Sequence, residues 1–133
     1  MSASRIFATT ATLLLALGVS CFGRAPHTKM VAIDGSYDGR EVVLNAGDEL
    51  DLSLPENPTT GFRWDFAAKA EPVCSIVKSE FKPSEGPPGS GGTHRWLLKA
   101  ERSGSGKIEL EYRRPWEKDK PAARTFHLTI RVR

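Results

Sequence analysis

Thr59 and Thr60 stand side by side in the stretch LPENPTTGFRW, residues 54–64. Their neighbours are those of a tight turn. Asn57 suits an Asx-turn, Pro58 fixes φ, and Gly61 supplies a positive φ. None of that geometry requires two small hydroxyl side chains at the tip, so the turn alone leaves Thr59 and Thr60 unexplained. Two more stretches carry residues unusual for plain turns. The run EGPPGSGGTHRW, residues 85–96, is a long Gly/Pro-rich connection between two strand patterns, and such loops in compact domains are functional or disordered. The run RRPWEKDKPA, residues 113–122, sets Trp116 beside Pro115 among charges, where an indole either folds back on the domain or waits for a partner.

Catalytic signatures are lacking. His27, His94 and His127 have no metal-pair spacing, and no Cys-x-x-Cys is present. There is no Gly-x-Ser-x-Gly elbow. The glycines of GPPGSGG are not followed by the Lys-Ser/Thr pair of a phosphate cradle. The carboxylates are scattered over wet faces, so an enzyme would need a pair assembled only in space. The expectation is a non-enzyme with no cofactor and no metal. A formal charge of +3 with acids and bases interleaved gives a mixed surface, not the one-signed face of a nucleic-acid binder.

The elements that must carry these loops are strands. Period-two alternation places Leu50, Leu52 and Leu54 on one face, then Phe62, Trp64 and Phe66, then Trp96, Leu98 and Ala100. It continues with Ile108, Leu110 and Tyr112 and with Phe126, Leu128, Ile130 and Val132. REVVLN and VCSIVKSEF are less regular but β-branched. One buried and one wet face per strand, with turn residues between, predicts an all-β, immunoglobulin-like antiparallel β-sandwich of about 7–8 strands. An open barrel is the competing fold. Alternate connections of a sandwich emerge at the same end, so the loops at 57–61, 83–93 and 114–122 should cluster, with the turns near 67–72 and 103–106 at the other end.

The N-terminus reads differently. Ile6–Val19 is apolar or small and uncharged, too short for a bilayer span of about 20 residues. It fits a secretory signal. Ser20-Cys21 resembles the end of a bacterial lipoprotein signal, whose cysteine carries the lipid, although Gly18 replaces the usual leucine. Cleavage near Ala25 is the alternative. The organisation expected is a signal peptide over 1–21, a short segment over 22–37 and the β domain over 38–133. The location expected is exported: periplasm or outer envelope as a lipoprotein, or secreted. With Cys21 lipidated or removed, Cys74 has no disulfide partner and reads as a small buried hydrophobe in VCSIV.

The three loops together resemble the chagasin family of cysteine-protease inhibitors over about residues 38–133. The family's Asn-Pro-Thr-Thr-Gly-Tyr/Phe loop stands here as Asn57, Pro58, Thr59, Thr60, Gly61 and Phe62. Its Gly-x-x-Gly-x-x-x-Trp loop matches Gly89, Gly92 and Trp96, with Gly91 and Thr93 in the same loop. Its Arg-Pro-Trp/Phe loop matches Arg114, Pro115 and Trp116. The resemblance implies a reversible inhibitor of papain-like proteases, acting as a monomer, with the three loops wedged in the active-site cleft. Thr59 and Thr60 would form the occluding tip and Trp116 the hot spot. Arg114 would either support its loop or pair with a protease acid. Trp96 continues the Leu98 alternation and is assigned to the core. The alternative is an exported immunoglobulin-like module that binds glycan, an adhesion target or the cell envelope through the same loops.

Overall fold

The computed structural model describes residues 28–133; the expected signal, Cys21 and His27 lie outside the described residues. Eight strands form two four-stranded sheets. They are β1 (Met30–Ile33), β2 (Arg40–Leu44), β3 (Glu49–Glu56), β4 (Arg63–Lys69), β5 (Cys74–Pro83), β6 (Gly92–Ala100), β7 (Gly104–Arg113) and β8 (Arg124–Val132). One sheet has the order β1-β3-β6-β5 and the other β2-β8-β7-β4. Two separate sheets exclude the barrel and agree with the sandwich.

The alternation sets which faces meet. Leu50, Leu52 and Leu54 of β3, with Trp96 and Leu98 of β6, face Ile108, Leu110, Phe126, Leu128 and Ile130 of the second sheet in one buried core. Trp96 is 2% exposed, as its alternation predicts. Cys74 is buried in the same core. Val77 is 55% exposed despite its apolar run, because the register slips between Ile76 and Lys78 and the extra residue is turned outward.

Three features depart from the expectation. The sheets are not wholly antiparallel: β1 pairs with β3, and β2 with β8, in parallel. The chain passes from β1 into the other sheet and back before it enters β3, so β1 and β3 run the same way. Alternation reports which face is buried, not which strand lies alongside. Secondly, β1 comes from the segment taken to precede the domain, and it buries Ile33. Four residues with one inward side chain are too short a pattern to read as a strand. Thirdly, Gly104, Ser105 and Gly106 belong to β7 and not to the preceding turn. A Cβ at Gly106 would stand 2.8 Å from the Cβ of Ala70, so the strand uses glycine to pass the neighbouring turn.

The register also fixes the loops. Glu56 pairs with Gly92, and Pro83 pairs with the same Gly92. Arg63 pairs with Arg113, and Tyr112 with Arg124. The ends of β3, β5 and β7 and the starts of β4, β6 and β8 therefore lie at one pole, and the connections 57–62, 84–91 and 114–123 emerge there together.

Candidate functional site

The first loop crosses from one sheet to the other. Pro58–Thr60 is a single 3-10 turn capped by Asn57, whose side chain accepts the Thr59 amide at 3.2 Å. Gly61 closes the turn at φ 83°, the left-handed region that glycine enters without strain. The threonine hydroxyls are turned inward to Asn57: Thr59 donates to its Oδ1, and Thr60 donates to its carbonyl at 2.7 Å. Both residues are exposed. The tip therefore presents methyl groups and oxygen lone pairs, with its hydroxyl protons already engaged.

The other loops are bonded to the first. Asn57 Nδ2 donates to the Gly89 carbonyl at 3.0 Å. Gly89 and Gly91 both have positive φ, and a Cβ on Gly91 would come within 3.0 Å of the Glu56 carbonyl oxygen. Gly92 lies against the β5 backbone, where a Cβ would be 2.2 Å from the Lys82 carbonyl oxygen. Gly91 thus lets the Pro-rich loop lie close beside the first loop, and Gly92 lets β6 start close against β5. Thr93 is the second residue of β6 and exposed; strand alternation puts it on the outer face with Arg95, away from the other two loops.

On the far side, Arg114 Nε donates to the Thr60 carbonyl at 3.0 Å, and its guanidinium stands 4.5 Å over the Phe62 ring. Its Nη1 donates to Glu117 Oε1 at 3.1 Å. Arg114 thus supports the first loop. Pro115 begins a turn closed by the Glu117 amide donating to the Arg114 carbonyl at 3.0 Å. That turn lays the Trp116 indole over Gly61, while leaving Trp116 68% exposed. The indole both folds back on the domain and offers a large apolar face to solvent.

Three residues beneath this edge were not singled out by the sequence motifs. Glu56 is 6% exposed; its Oε1 accepts the Trp64 amide at 3.0 Å, and its Oε2 lies 2.8 Å from His94 Nδ1. His94 Nε2 lies 2.8 Å from Ser79 Oγ, and its ring stacks on Trp96 at 4.1 Å. Tyr112 Oη accepts the Asn57 amide at 3.0 Å, and the ring sits against Phe62 and Trp64. A signal for two of them was present. Glu56 extends the inward series Leu50, Leu52, Leu54, and His94 precedes the inward pair Trp96 and Leu98, so each is a polar residue at an apolar-face position.

Comparison with known proteins agrees with this geometry. The model of the chagasin family of peptidase inhibitors, I42, matches residues 43–130, a span that contains all three loops. The chain is 34% identical over 95 residues to Amoebiasin-1 of Entamoeba histolytica, covering 68% of this chain and 88% of that one. It is 29% identical over 86 residues to Chagasin of Trypanosoma cruzi, covering 61% of this chain and 78% of that one. The crystal structure of a cysteine protease inhibitor from Entamoeba histolytica has the same fold, with a TM-score of 0.72 at 24% identity over 81% of this chain and 99% of that chain.

Proposed function

The chain belongs to the chagasin family of peptidase inhibitors, and from that premise we infer that its three-loop edge enters the active-site cleft of papain-like cysteine proteases and blocks it reversibly. The protein is a cysteine-protease inhibitor and not an enzyme. The observation that carries the mechanism is the bonding of the three loops into one edge, with Asn57 held to Gly89, Arg114 to Thr60, and Trp116 laid over Gly61.

A papain-like cleft attacks a carbonyl held in an extended peptide at near-attack distance. Residues 58–60 are coiled in a 3-10 turn and Gly61 is left-handed, so the tip offers no extended segment to the cysteine. Internal bonds and glycine geometry preset the tip, so little loop entropy is lost on binding. In this reading Thr59 and Thr60 cover the catalytic cysteine, the Gly89–Gly92 stretch and the Arg114–Trp116 loop flank it, and Trp116 supplies the main apolar contact. No feature of the edge favours the glycan-binding alternative over this one.

The test is titration of the purified protein against papain with a fluorogenic peptide substrate. Nanomolar competitive inhibition, about −12 kcal/mol, with the inhibitor recovered uncut, is the expected result. Absence of inhibition across papain and several related cathepsins rejects the reading.

We also propose that the chain is exported as a monomer and tethered through lipid on Cys21. The support is the apolar run Ile6–Val19 before Ser20-Cys21, together with the direction of β1. β1 starts beside Glu49, at the pole opposite the loops, so a tether there leaves the inhibitory edge clear. A Cys21→Ser chain should lose incorporation of labelled palmitate and leave the membrane fraction, and light scattering should give the monomer mass.

A further inference from the structure

We propose that Glu56, His94 and Tyr112 are positioning residues that hold the inhibitory edge in its binding shape from below; the role rests on the inhibitor reading above. Glu56 is the last residue of β3, and the turn begins at the next position. One of its oxygens takes the amide of Trp64, on the strand that leaves the first loop, and the other takes His94, on the strand that leaves the Pro-rich loop. Tyr112 takes the Asn57 amide from β7, the strand that enters the Arg114 loop. Each of the three loops is thus anchored to the same two residues, 56 and 57, on which the turn of Thr59 and Thr60 is built.

Energetics argues for positioning over stability. A buried carboxylate is costly to desolvate, and well-packed apolar groups in its place are often neutral or stabilising. Glu56 stands where an apolar side chain would continue the inward face of Leu50, Leu52 and Leu54. What an apolar side chain there cannot do is accept two donors from two different strands. The hydroxyl of Ser79 completes the arrangement, because it accepts from His94 Nε2 or donates to it according to the imidazole tautomer. Ser79, His94 and Glu56 stand in the order of a nucleophile relay. The carboxylate end is tied to the loop base by the Trp64 amide, and of the three only Glu56 lines the cavity of about 310 Å³ at this pole, with Asn57, Tyr112 and Arg124, while Ser79 lies outside it on β5. The contacts serve the loop.

The experiment compares Glu56→Ala, Glu56→Gln and Tyr112→Phe with the parent in papain association and dissociation rates, thermal midpoint and ¹⁵N order parameters of Thr59, Thr60 and Gly61. Loosening the edge lowers the competent fraction, and apparent affinity falls by that fraction. Glu56→Ala is expected to slow association by roughly tenfold with little change in dissociation, and to lower the order parameters of the tip. Glu56→Gln should recover most of both, since its carbonyl accepts the Trp64 amide and its NH₂ donates to the other His94 tautomer; a merely structural loss of charge would give no such rescue. Tyr112→Phe keeps the rings against Phe62 and Trp64 and removes only the acceptor for Asn57, so it should slow association at an unchanged midpoint. If Glu56→Ala does not fold, Tyr112→Phe decides. Parental rates and parental tip order in the folded variants overturn the proposal. A parent that inhibits no papain-like protease refutes the functional reading instead, and the order parameters alone then decide whether these residues hold the edge.

Discussion

A methyl group at position 61 would lie 2.3 Å from Cη2 of Trp116, on a backbone already at φ 83°. Gly61→Ala therefore carries two faults, strain of about 1–2 kcal/mol from the left-handed backbone and eviction of the indole. Its expected result is weaker inhibition of papain, accompanied by a shift in tryptophan fluorescence as Trp116 leaves its seat. Trp116→Ala separates the faults. The side chain is 68% exposed, so its removal should change the thermal midpoint little. Truncation of a central aromatic anchor costs about 2 kcal/mol of binding, roughly 30-fold in inhibition constant. Inhibition equal to the parent's would remove Trp116 from the interface. Trp96→Ala should behave in the opposite way. Trp96 is packed between His94 and Phe66 in the core, and its loss should cost about 3–5 kcal/mol of stability. A loss of inhibition at unchanged stability would place Trp96 in the contact.

Strand β1 can be judged separately from the loops. Its one strand partner among the described residues is β3, over Met30–Ile33 against Glu49–Leu52, from the pole opposite the inhibitory edge. A chain starting after Ile33 loses one buried side chain worth about 1.5–3 kcal/mol and exposes the amides and carbonyls of β3. Urea denaturation should show that loss, while inhibition measured well below the transition should stay within about threefold, the scatter expected when no contact residue has changed. Collapse of inhibition in a folded truncated chain would mean that β1 orders the far pole through β3. The hairpins β5–β6 and β7–β8 do more for function, because each delivers one loop to the register end set by Gly92 and Arg124.

At the scale of the whole molecule, two sheets share a single core, and Cys74 reports on it. Burial pushes its thiol up to about 11, with the Glu101 carboxylate adding to the shift. The raised value means that the folded state holds the thiol proton more tightly than the unfolded state does. That contribution to stability is complete below the ordinary thiol value of 9.0 and is lost as pH rises toward about 11. In a Cys21→Ser chain at pH 8, Cys74 should react with a disulfide reagent only at the rate of unfolding, and fully in urea. Prompt reaction in the native state would show that the sandwich opens at its β5 edge.

The sequence by itself determined the strand faces and the identity of the loops. Alternation is local, so Leu50, Leu52, Leu54 and Phe126, Leu128, Ile130 announced their buried side without help. The turn of Asn57, Pro58 and Gly61 was equally legible, because its φ values are set by the residues themselves. The tertiary structure alone decided partnership. It paired β1 with β3 and β2 with β8 in parallel, since neighbours in a sheet are chosen by packing across the whole core. It turned Arg114 onto the Thr60 carbonyl, where the sequence left two roles open. It turned the threonine protons inward to Asn57. Finally, it joined Glu56 to His94 across 38 positions of chain. The polar residues at inward positions were visible one by one in the alternation. A hydrogen bond needs a second atom within about 3 Å, and no local pattern says which distant residue will supply it.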